Sequence, residues 1–84
     1  MSDYVPIACI EHERLEFAVL RRQRLVLVFR DDLGECLQYI VRPTDVATRE
    51  GAEWLSYAVV EGEGAGTCGV VRLDRIVSAR PASA

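Results

Sequence analysis

From Leu25 to Arg80 the sequence breaks into five short runs of β-forming residues, each closed within a few positions by Gly, Pro or Asp. The runs fall at about 24–30, 36–42, 53–60, 68–73 and 76–80. LVLVFR is β-branched and aromatic, suited to a buried strand. CLQYIVR alternates, with Leu37, Tyr39 and Val41 on one face, and WLSYAVV does the same with Leu55, Tyr57 and Val59. DDLGE (31–35) reads as a hairpin turn. Pro43 is expected to end the second strand, because it cannot donate to a ladder. TDVATREGAE (44–53) then reads as a polar connection with room for one helical turn capped by Thr44. EGEGAGT (61–67) reads as a glycine-rich hairpin loop, and Asp74-Arg75 as a tight corner.

Ahead of the strands, about 10–22 (IEHERLEFAVLRR) holds good helix formers and no Gly or Pro. Its acids come first and its arginines last, which complements the helix dipole. Leu15, Ala18 and Val19 share one side of this helix, while Ile10, Phe17 and Leu20 gather on another. The first side serves a core; the second is a candidate contact surface or is wrapped by the domain. A helix followed by five short strands gives a mostly β fold, expected as a small Sm-like barrel, an arrangement that removes exposed sheet edges. An OB-fold would place its helix between the third and fourth strands, where no helix-length segment stands.

Eighty-four residues form a single domain, and one this small buries only about 60–65% of its unfolded surface. Cys9, Cys36 and Cys68 are odd in number and lack ligand spacing, so neither a closed disulfide framework nor zinc is expected. They read as reduced thiols of a cytoplasmic protein, with Cys9 and Cys36 packed as small apolar residues. The N-terminus lacks the basic start and apolar stretch of a signal peptide, and the longest apolar run, Leu25 to Phe29, is too short for a membrane span. The sole histidine, His12, reads as exposed on the helix, with no nucleophile marked beside it. Gly62 and Gly64 lack the Lys and Ser/Thr of a phosphate loop. No metal, cofactor or catalytic set is expected, so the chain reads as a binding module and not an enzyme.

The net charge is −3, and its distribution says more than its size. Residues 1–20 carry four acids and one arginine, while 21–30 carry four arginines and no acid. Residues 31–63 then carry eight acids and two arginines. Acidic patches on the helix start and the loops would steer a basic partner. The competing reading is an Sm-like RNA-binding module using Arg21, Arg22 and Arg24. Single-strand binding normally pairs basic residues with stacking aromatics, and no such interleaving stands out along the chain.

The opening Tyr4-Val-Pro6-Ile7-Ala-Cys9 resembles that of the Rho-binding antiterminators (the Rof family). So do the acidic helix residues Glu11, Glu13, Leu15, Glu16 and Ala18, the turn Asp31–Gly34–Glu35, the pair Asp45-Val46, and Arg72-Leu73-Asp74-Arg75-Ile76 near the end. The likeness spans roughly 4–81. It departs at Ile10, where the family tends to carry an acid, and at His12, where a tyrosine can sit; the loops at 43–53 and 61–67 read as longer. The resemblance implies a monomeric Sm-like domain that binds the transcription terminator Rho at its primary RNA-binding surface, with no direct contact to nucleic acid. The implied contacts are Glu11, His12, Glu13 and Glu16 on the helix, with Arg49 and Glu50 in the loop before the third strand.

Overall fold

The computed structural model describes residues 9–82, with the side chain of Cys9 left aside. The opening motif from Tyr4 onward therefore lies outside the described residues except for its last backbone position. One helix, α1 (Cys9–Arg21), precedes five strands: β1 (Leu25–Arg30), β2 (Cys36–Arg49), β3 (Ala52–Glu61), β4 (Cys68–Arg72) and β5 (Ile76–Pro81). The strands form one antiparallel sheet in the order β4-β3-β2-β1-β5. The mostly β class and the helix-first, five-strand order are those expected from the sequence. A loop at 62–67, and not a helix, joins β3 to β4, which removes the OB-fold alternative.

Register shifts curl this sheet. They fall between Val28 and Phe29 against β5, and between Ile40 and Val41 and between Pro43 and Asp45 against β3. Each extra residue bends its strand and strengthens the local twist. A 3-10 turn at Leu73–Arg75 carries the chain from β4 to β5, the two ends of the sheet. The barrel is not closed by hydrogen bonds: among the described residues β4 pairs only with β3, and β5 only with β1. The expected removal of sheet edges is thus incomplete.

Pro43 does not end β2. The strand continues to Arg49, because Pro43 sits at a bulge where Thr44 is skipped and no ladder hydrogen bond is required of it. The expected polar connection with a helical turn is instead strand, followed by a two-residue turn of Glu50 and Gly51. Both turn residues have positive φ, 53° and 75°, as a right-handed hairpin demands. The loop before β3 is therefore tight, and Asp45-Val46 lies within β2. The β1–β2 turn matches expectation: the Asp31 carboxylate accepts from the N–H groups of Leu33 and Glu35, both at 2.9 Å.

Strand alternation sets the core. Leu27, Val41, Leu55 and Leu73 are fully buried, each worth about 1.5–3 kcal/mol relative to exposure. Phe29 packs against Tyr39 and Tyr57 with ring centroids 5.9 and 6.0 Å apart. Helix α1 closes the core with Leu15 and Ala18, and Val19 packs beside them. Its other side leaves Ile10, Phe17 and Leu20 exposed, as the helical spacing requires. The helix ends where Arg22 takes φ 53° and the N–H of Gln23 reaches the carbonyl of Ala18 at 2.9 Å, a Schellman closure. Cys36 is exposed at the start of β2, opposite Arg30, and so does not pack as a core residue. Cys68 is also an exposed free thiol. Among the described residues no helix is long and apolar enough to cross a membrane.

Candidate functional site

The six residues singled out from the sequence fall on α1 and on the tip of the β2–β3 hairpin. His12 is the joint between the two. It is not exposed as expected: its side chain keeps 25% of its surface and lies between two carboxylates. Its Nδ1 is 2.8 Å from Glu16 Oε1, one turn along the helix. Its Nε2 meets the carboxylate of Glu53 on β3. Both contacts are hydrogen bonds when both ring nitrogens carry hydrogen. Glu53 shares a strand face with Leu55 and is paired with Thr48, one position before Arg49. The start of the helix and the hairpin tip are in this way brought to one end of the molecule.

Glu13 and Glu16 are exposed on the helix, and Glu13 has no ion pair among the described residues. Glu11 turns toward Arg14, at 3.4 Å, and borders a small cleft with Leu25 and Pro81, away from His12. Arg49 closes β2 with its guanidinium 5.8 Å from the ring centre of Trp54. The indole N–H of Trp54 donates to the carbonyl of Arg49 at 3.2 Å, so the two residues hold each other. Glu50 occupies the first turn position with its carboxylate exposed. Glu53 is the residue missed from the sequence. The alternation that placed Leu55, Tyr57 and Val59 inward also placed Glu53 on that face, under the helix.

Carboxylates therefore dominate this end: Glu13, Glu16, Glu50 and Glu53 stand against one arginine and one histidine. Such an end can grip guanidinium or ammonium groups through charge-assisted hydrogen bonds. Among the described residues no group of His, Cys, Asp or Glu is arranged to hold a metal ion. Two of the three arginines weighed for an RNA strip are otherwise engaged. Arg21 lies 5.7 Å from the centre of the Phe17 ring, and Arg24 pairs with Glu61 at 3.1 Å.

No protein-family model matches the chain, and no curated protein matches it.

Proposed function

We propose that this chain binds the transcription terminator Rho at its primary RNA-binding surface and thereby reduces Rho-dependent termination. The observation that carries the reading is the acidic end built by α1 and the β2–β3 hairpin. Its exposed carboxylates Glu13, Glu16 and Glu50 are held in fixed relation by the His12–Glu53 contact. The motif likeness at Arg72-Leu73-Asp74-Arg75-Ile76 and along the helix supplies the identity of the partner. A protein surface that holds RNA phosphates must be basic, and carboxylates placed on its cations compete with phosphate directly. The chain acts as a monomeric, non-catalytic competitor.

Two measurements test this. The purified chain is expected to co-purify with Rho and to be displaced by competing RNA. It is also expected to raise read-through at a Rho-dependent site in a purified transcription reaction. Unchanged termination at saturating protein ends the proposal.

A further inference from the structure

A cleft of about 380 Å³ opens between the end of β1 and its turn, β3, β4 and the 3-10 turn. Phe29 and Val71, both nearly fully buried, belong to its lining and to the core. Around them stand Trp54 from β3, Val70 and Arg72 from β4, Arg75 from the 3-10 turn, and Arg30 from the end of β1. Trp54 and Arg72 are directly paired across β3 and β4, and Arg49 lies on the Trp54 ring. An aromatic flanked by guanidinium groups is thus assembled from three strands. Trp54 is on the opposite face of β3 from Glu53, so the cleft opens on the other side of that strand from the His12–Glu53 contact, and Arg49 borders both.

The lining reverses the sign of the chain, with three arginines against Asp31 and Asp32 in a protein of net charge −3. Asp31 is committed to the backbone of its own turn. Asp32 is 91% exposed, and its carboxylate reaches across to Arg75. An anion therefore already rests on this arginine, supplied from a loop tip in a pairing that water weakens. Arg30 donates to the carbonyl of Gly34 at 3.1 Å, and Arg72 to Asp74 at 2.7 Å. The volume falls within the range of about 300–1,000 Å³ typical of small-ligand sites.

We infer that this cleft binds one nucleotide unit, its base against Trp54 and its phosphate on Arg75 and Arg30 in place of Asp32. The base–indole contact is tolerant of sequence, and the guanidinium forks suit a phosphate. A free nucleotide and a unit of single-stranded RNA share this chemistry. The site is distinct from Arg21, Arg22 and Arg24, and it does not depend on the proposed binding of Rho.

Trp54 is the only tryptophan, so its single indole N–H resonance reports on the cleft directly. Uridine monophosphate, a short oligouridylate and a glutamate-rich peptide are titrated separately at low salt. Saturable displacement of that resonance by the mononucleotide, the oligonucleotide or both supports the site, and the tighter of the two identifies the source. Arg75→Gln is expected to weaken binding about tenfold, as loss of a charge-assisted contact does. Asp32→Asn is expected to tighten it, because the competing carboxylate is removed, whereas a purely structural pair would give no gain. No saturable shift with either nucleotide probe, an equal response from Arg75→Gln, or an equal response to the acidic peptide overturns the inference.

Discussion

The imidazole of His12 on α1 meets the carboxylate of Glu53 on β3, and that contact fastens the acidic helix to the hairpin that carries Arg49 and Glu50. Partly exposed ion pairs contribute about 0.2–1 kcal/mol. His12→Ala loses the contacts to Glu53 and Glu16 together, so a cost of about 1 kcal/mol is expected, or a fall in Tm of roughly 4–8 °C for a domain of this size. Amide hydrogen exchange locates the effect. Protection in α1 is expected to fall while that of β1 and β2 holds, because the strands keep their own ladder. Uniform loss across both would show that the contact supports the whole core.

Gly69 faces Tyr57 across the β3–β4 pair, and a Cβ there would come within 2.5 Å of the Tyr57 hydroxyl oxygen and 2.6 Å of its ring. Tyr57 is buried against Phe29, so its ring has little room to give way. Gly69→Ala is expected to destabilise by about 1–3 kcal/mol, the usual cost of overpacking, measured by denaturant unfolding. Combined with Tyr57→Leu the penalty is expected to shrink, since the two changes share one contact.

The same tyrosine gives the stability a pH dependence. Burial raises the Tyr57 hydroxyl above its ordinary value of 10.0, with the neighbouring Tyr39 adding to the shift. The folded state thus holds the proton more tightly than the unfolded chain does. The resulting stabilisation is whole below pH 10 and is lost as pH rises through the raised value. Unfolding free energy is expected to drop more steeply above pH 10 in the native chain than in Tyr57→Phe. Parallel curves for the two would contradict this.

The strand pattern, the helix and its two apolar sides were legible because burial imposes periods of 2.0 and 3.6 on any sequence. Pro43 misled because a proline signals the loss of a donor, whereas the bulge at Thr44 that makes the loss harmless depends on the register with β3. The loop read at 43–53 collapses to Glu50 and Gly51 for the same reason. The acids at the helix start were visible in the sequence; their tie to Glu53 was not, since it joins residues on two elements. The aromatic–arginine group of Arg49, Trp54 and Arg72 was equally hidden. No window along the chain interleaves these residues, because the interleaving runs across strands.

The Glu50–Gly51 turn separates stability from recognition. Glu50 holds φ 53°, a region that costs an ordinary L-residue about 1–2 kcal/mol and that Asn tolerates better. Glu50→Asn is expected to raise Tm while removing one carboxylate from the acidic end. If Glu50 touches the partner, the variant is the more stable protein and the weaker binder of Rho. A stabilised variant with unchanged capture removes Glu50 from the contact set.

The sharpest test of the proposed contact compares two charge reversals of identical net effect. Glu13 is exposed on α1 beside the His12 joint, and Glu63 is exposed in the β3–β4 loop. Neither packs in the core, so neither reversal should unfold the domain. If overall charge draws the chain to Rho, Glu13→Arg and Glu63→Arg weaken binding alike. If the acidic end makes the contact, Glu13→Arg costs about tenfold or more, while Glu63→Arg changes the affinity by less than about twofold, as a distant charge screened over roughly 8 Å should. Binding measured across a salt series adds a second readout. Glu13→Arg is expected to flatten the dependence on ionic strength because a direct charge pair is lost, and Glu63→Arg to leave its slope in place. Equal losses from the two variants would move the contact off α1 and make the helix acids a solvated surface.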